Sequence, residues 1–208
     1  PGCAYGDQGG DLMRTATVNR TTKETRIELK LSIDGTGTSQ VATGIGFLDH
    51  MLESFARHGA FDITLSAEGD LKVDQHHLVE DVGIALGKAF DTALDDRRGI
   101  NRTGYFVFPM DESLAVVAVD ISGRPTLQYD APFTRRYIGE LDADLLYDLF
   151  KGFADNLRAT VAVRAIQGRN DHHKSEAIFK AFGKAMRMAC SHDPRMIEDI
   201  PSTKGVIE

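Results

Sequence analysis

The chain repeats itself once. His76-His77-Leu78-Val79-Glu80 returns as His172-His173-Lys174-Ser175-Glu176, and Gly87-Lys88-Ala89 returns as Gly183-Lys184-Ala185, each 96 positions on. A constant offset over a dozen residues points to a duplicated structural unit. The period is too long for a solenoid, so two similar half-domains packed together are expected. Upstream, Glu24 to Gly35 can be laid on Glu112 to Gly123 at a separation of 88, both running from a Glu through an alternating apolar stretch to Ile-x-Gly. The eight-residue difference predicts an insertion in the second half.

Hydrophobic periodicity supplies the elements. From Arg14 to Ile33 the pattern alternates, with Ile27, Leu29, Leu31 and Ile33 on one side and Glu28, Lys30 and Ser32 on the other, as a half-buried strand requires. Asp34-Gly35-Thr36-Gly37 has turn chemistry. Phe47, Leu48, Met51, Leu52 and Phe55 follow helical spacing, and His58-Gly59 is expected to end that helix through a left-handed glycine. A strand at Phe61 to Ala67 and a helix from Asp74 to about Leu94 complete the half. The second half predicts strands near Tyr105 to Phe108, Leu114 to Ile121, Thr126 to Tyr129 and Thr160 to Ile166, with helices near Asp142 to Leu157 and Asp171 to Cys190. Strands grouped with two helices per half imply an α+β fold, duplicated in tandem, with sheets covered on one face by helices. The expected partition is a flexible N-terminal extension (1–13), half-domains at 14–100 and 101–192, and an irregular tail (193–208), forming one compact catalytic unit.

Bulk properties narrow the partners. A formal net charge of −7 argues against general nucleic-acid binding, which needs a basic face, though it leaves room for a local basic pocket. The two cysteines, Cys3 and Cys190, form no CxxC pair, which favours a reducing compartment and excludes a cysteine-built metal site. No stretch has the pattern of a secretion signal or the length of a membrane span, so a cytoplasmic location and no membrane partner are expected.

On a helix, residues three and four apart share a face, so each His-His-x-x-Glu copy presents imidazoles and a carboxylate to one side. His76, His77 and Glu80, with His172, His173 and Glu176, are therefore the candidate ligands of a paired metal centre. Imidazole and carboxylate without thiolate suit manganese, iron, zinc or nickel alike. His50, on the preceding helix, is expected to join the centre of His76, and Asp148 occupies the matching place ahead of His172. Asp74 and Asp171 each precede a histidine pair and are read as helix caps, not ligands.

Six ordered blocks carry a further likeness: Gly46-Phe47-Leu48-Asp49-His50-Met51; Gly69-Asp70 with Asp74-Gln75-His76-His77 and Glu80-Asp81-Val82; Asp96-Arg97-Arg98-Gly99-Ile100-Asn101-Arg102; Ser122-Gly123-Arg124-Pro125; Gly168-Arg169-Asn170-Asp171-His172-His173; and Pro201-Ser202-Thr203-Lys204-Gly205. Together, from about Arg14 to the end, they resemble imidazoleglycerol-phosphate dehydratase of histidine biosynthesis. The resemblance implies half-domains with a four-stranded sheet and two helices, of the ribosomal protein S5 domain 2-like type. It also implies two manganese(II) ions per active site and trimers assembled into a homo-oligomer of 24 subunits, with sites between subunits. Its ligand set falls on His50, His76, His77, Glu80, His172, His173 and Glu176. The family usually has a further histidine where this chain has Asp148, which a hard manganese ion would accept as a ligand directly or through water.

The implied substrate is a phosphorylated imidazole, D-erythro-imidazole-glycerol phosphate, converted to imidazole-acetol phosphate and water. The proton removed is not next to a carbonyl, so simple enolate formation is closed. Coordination of both ring nitrogens would give an electron-rich imidazolate able to expel the hydroxyl on the adjacent carbon. Glu176 and Glu24 are the implied acid and base in unassigned order, with Asp111 and His58 in support. Arg102, Arg124, Ser202 and Lys204 match the phosphate contacts; guanidinium binds phosphate through paired hydrogen bonds and lysine adds a point charge. The rival classes are a dinuclear metallohydrolase and a metal-assembled shell protein without turnover.

Overall fold

The computed structural model describes residues 13–207. The expected N-terminal extension therefore lies outside the described residues except for Met13. Two four-stranded sheets share one topology. In the first, β1 (Thr15–Thr21), β2 (Thr25–Ser32), β3 (Ser39–Ala42) and β4 (Asp62–Gly69) take the order β1-β2-β4-β3, with β3 and β4 parallel and the other pairs antiparallel. In the second, β5 (Thr103–Met110), β6 (Ser113–Asp120), β7 (Thr126–Asp130) and β10 (Thr160–Gln167) take the order β5-β6-β10-β7, again with one parallel pair, β7 with β10. Each parallel pair is joined through a helix, as parallel strands require: α1 (Gly46–Gly59) in the first half and α3 (Leu145–Leu157) in the second. Each half closes with a longer helix, α2 (His76–Leu94) and α4 (Asp171–Cys190).

The helices cover one face of each sheet, and they dock across the halves. α2 packs on α3 and α1 packs on α4. Seven phenylalanines from both halves, Phe55, Phe61, Phe90, Phe150, Phe153, Phe179 and Phe182, are buried at this junction. Phe55 and Phe182 stack at 4.6 Å, and Phe182 meets Phe153 edge-on at 4.9 Å. Burying each such ring is worth about 1.5–3 kcal/mol, so a single continuous core binds the halves. The repeated Gly-Lys-Ala now has a physical reason. A Cβ on Gly87 would lie 2.5 Å from the Phe153 carbonyl oxygen, and one on Gly183 would lie 2.5 Å from that of Phe55. Only glycine permits helix backbones to approach so closely.

Several expectations need correction. The single strand from Arg14 to Ile33 is a hairpin, broken where Thr22 Oγ1 accepts the backbone N–H groups of Glu24 (3.1 Å) and Thr25 (3.0 Å). The left-handed residue after α1 is Ala60 (φ 57°), not Gly59. Gly59 is needed for a different reason, since a Cβ there would meet the Phe61 ring at 2.2 Å. The helix expected from Asp142 starts at Leu145, because the preceding residues form a small hairpin, β8 (Tyr137–Ile138) and β9 (Leu141–Asp142). That hairpin lies in the 131–144 segment between β7 and α3, where the second half is longer than the first. No helix among the described residues is long and apolar enough to cross a membrane.

Candidate metal centre

The cross-docking of helices decides which ligands meet. His50 is not brought to His76, its nearer neighbour in sequence. It stands on α1, which lies against α4, and its Nε2 is 3.0 Å from Glu176 Oε1; His172 Nε2 is also 3.0 Å from that oxygen. The ligand atoms of His50, His172 and Glu176 all fall within 4.8 Å of one another, the one such histidine and carboxylate group among the described residues. Its counterpart is assembled on α2 and α3, where His76 Nδ1 lies 3.4 Å from Asp148 Oδ2 and His76 Nε2 lies 4.0 Å from Glu80 Oε2. Each group thus draws one side chain from one half and the histidine and glutamate of the motif from the other.

Glu176 is 8 % exposed and its second oxygen accepts Lys180 Nζ at 2.5 Å. Burial opposes its ionisation, but hydrogen bonds from Lys180, His50 and His172 outweigh that and pull its pKa down to about 2. It is a carboxylate at neutral pH. The donor set fits a divalent cation: imidazole nitrogens and ionised oxygen, converging without thiolate.

The second histidine of each motif is gripped by strand-end carboxylates. His77 Nδ1 is 3.1 Å from Asp70 and 3.8 Å from Glu24, while His173 Nδ1 is 2.8 Å from Glu112 and its Nε2 is 3.7 Å from Asp111. Such a bond selects the tautomer that donates from Nδ1 and leaves Nε2 with the lone pair. The Asp70 bond raises the pKa of His77, and the Glu112 bond raises that of His173. In return, Glu112, bonded by His173 and the Asn170 N–H, is lowered to about 2. Glu112 was not among the expected site residues, although the offset of 88 that pairs it with Glu24 would have found it. Lys180, one turn beyond Glu176, also escaped notice.

The capping expectations divide. Asp74 Oδ1 accepts the His76 N–H at 2.8 Å, as expected. At α4 the cap is Asn170, whose side chain accepts the His172 N–H at 3.0 Å. Asp171 is instead buried inside the first turn, paired with Lys174 at 2.6 Å and holding the N–H groups of Thr134 and Arg135. His58 packs edge-on against Phe108 at 5.2 Å, where burial and the charges of Lys180 and Lys184 lower its pKa.

The four expected phosphate residues line one cavity of about 330 Å³: Arg102, Arg124, Ser202 and Lys204, with Ser122 and Thr203 between them. Arg102 differs from the expectation in that its guanidinium is already engaged: Asp120 takes its Nε and Nη2 at 2.6 and 3.0 Å and the Pro201 carbonyl takes Nη1. Arg124 is exposed, and its guanidinium has no side-chain partner among the described residues, so it and Lys204 carry the cavity's positive charge.

Comparison with known proteins places the chain in a family. A profile of the family described as Imidazoleglycerol-phosphate dehydratase matches residues 43–186. The imidazoleglycerol-phosphate dehydratase of Koribacter versatilis is 55 % identical over 94 % of this chain and 100 % of its own length, and that of Gluconacetobacter diazotrophicus is 53 % identical over 95 % and 100 %. Among solved structures, the Staphylococcus aureus dehydratase superposes with a TM-score of 0.78 at 36 % identity, covering 86 % of this chain and 99 % of that one. The Pyrococcus furiosus structure gives 0.77 at 36 %, covering 91 % and 99 %. With the family profile, the fold and near-complete relatives all in agreement, this chain belongs to the imidazoleglycerol-phosphate dehydratase family and is a lyase.

Proposed function

We propose that the chain dehydrates D-erythro-imidazole-glycerol phosphate to imidazole-acetol phosphate in histidine biosynthesis, with two manganese(II) ions per active site. The observation that carries this is the convergence of His50, His172 and Glu176 from opposite halves of the chain. One ion would be held by that group and the other by His76, Glu80 and Asp148, with His77 and His173 offering further imidazoles to the same or a neighbouring copy. Bound there, the ions supply Lewis acidity toward the imidazole ring and the departing hydroxyl. The residues divide the remaining work. Glu176, already engaged by two imidazoles and Lys180, is suited to ligation. Glu24, more than half exposed beside His77, is the carboxylate open to take the proton from carbon. Arg124 and Lys204 bind the phosphate and so orient the imidazole end. Assembly of trimers into 24 subunits would bring ligands of neighbouring copies together.

The test is an assay of manganese-loaded protein on imidazoleglycerol phosphate. A ketone product that absorbs as its enol supports the proposal; release of inorganic phosphate would instead mean a hydrolase, and assembly without turnover a shell protein. Light scattering after chelation tests metal-coupled assembly, with a lower particle mass expected.

A further inference from the structure

The 131–144 segment reaches the start of each helix that carries a ligand. At one end, Asp171 Oδ2 accepts from Thr134 Oγ1 at 2.8 Å and from the Thr134 and Arg135 N–H groups at 3.0 and 2.8 Å, while Lys174 Nζ donates to the Pro132 carbonyl at 2.7 Å. The Asp171 and Lys174 side chains are 2 % and 5 % exposed, so this end is fixed to α4. In the hairpin, Glu140 Oε1 accepts the Phe47 N–H of α1 at 3.0 Å. The Glu140 carbonyl accepts Gln75 Nε2 at 2.8 Å, and Gln75 Oε1 accepts the Asp142 N–H at 3.1 Å, tying the hairpin to α2. The segment then runs directly into α3.

α1 has reason to need its bond. The first amides of a helix lack intrahelical acceptors, and Ile45, at the N-cap position of α1, makes no side-chain capping bond. At α2 the His76 N–H is already held by Asp74, and the two Gln75 bonds act as a tether to the hairpin. Glu140 supplies an acceptor for α1 and sets a negative charge at its positive end. His50 stands within a turn of that bond, and His76 follows Gln75 directly.

We propose that residues 131–144 are a positioning strap that holds the His50 group and the His76 group in fixed relation, with Glu140 and Gln75 as its positioning residues. This rests on the reading that both groups serve one reaction. Without the strap, α1 and α2 each lose an anchor at the end that carries a ligand, and the ligand atoms spread before a cation arrives.

The test uses the full chain and its Glu140→Ala, Gln75→Ala and Glu140→Gln variants, with manganese(II) affinity read from the electron paramagnetic resonance of the free ion. Both alanine variants are expected to bind about tenfold more weakly. Glu140→Gln, whose amide oxygen still accepts from Phe47, is expected to stay within about twofold of the unaltered chain. Affinities for both alanine variants within about twofold of the unaltered chain would overturn the inference, as would a glutamine variant as weak as the alanine one. Gln75→Ala removes no helix-capping bond and serves if Glu140→Ala does not fold. Turnover by the unaltered chain, measured alongside, tests the function separately: its absence defeats that reading and leaves the affinity comparison standing.

Discussion

Gly83→Ala pits helix propensity against helix docking, and the two predict opposite signs. Alanine in the interior of α2 would by propensity alone stabilise the protein by about 0.8–1.0 kcal/mol. A Cβ at this position, however, would lie 2.2 Å from the Leu149 carbonyl oxygen and 2.9 Å from its carbon. These are backbone atoms of α3, so no side-chain rotation relieves them, and α2 and α3 must part by roughly 1 Å to regain ordinary contact. Overpacking costs about 1–3 kcal/mol, and an immovable backbone puts this case at the upper end. The net expectation is a loss of about 2 kcal/mol, or about 4–8 °C in thermal midpoint for a chain of this length. Asp148 adjoins Leu149, so the same displacement draws its carboxylate away from His76, 3.4 Å distant, and manganese affinity falls with stability. Circular dichroism on heating gives the first quantity and metal titration the second. A midpoint equal to or above that of the unaltered chain would refute the docking argument.

Arg124→Ala is expected to raise KM for the phosphorylated substrate about tenfold or more while bound metal stays the same, since the cavity loses one of its two uncompensated cations; an unchanged KM would remove Arg124 from the phosphate site. Cys190 is fully buried and its thiol is pushed up to about 12, so it should resist a thiol reagent at pH 8 and react only on unfolding. Rapid labelling of the folded Cys3→Ser chain, in which Cys190 is the remaining thiol, would contradict that burial. Hydrogen bonding from Arg14 holds the Asp34 carboxyl below the usual carboxylate range. Its contribution is therefore complete above the unfolded value of about 3.9 and disappears as pH falls through the lowered folded value. Asp34→Asn should reduce the drop in stability between pH 6 and pH 3 in urea titrations, and an identical drop would count against the pair.

Local pattern was readable where one face of an element is buried. The alternation of β2 and the apolar spacing of α1 follow from burial on one side, and α4 begins and ends where its sequence suggests. β3 was missed because four residues, Ser39 to Ala42, are too few to display a period. The motif histidines were legible as candidate ligands, but their grouping was not. Chain proximity favours His50 with His76, whereas the grouping is set by which helices dock, and docking is governed by glycines that mark a contact by lacking a side chain. Gly87 and Gly183 were visible as a repeat, yet the repeat alone does not say which helix each one meets. Glu112 and Asp70 act by holding a neighbour's imidazole, a role their own local sequence does not encode.

The exchange of helices between the halves bears on how the protein reaches its working state. Neither half alone contains a full set of converging donors, since His50 waits for α4 and Asp148 for α2. The first half by itself therefore lacks the donors to capture a cation tightly. On the proposed function, tight metal uptake would mark the moment the two halves close on each other, and it would follow that event in a refolding experiment instead of following the formation of either sheet.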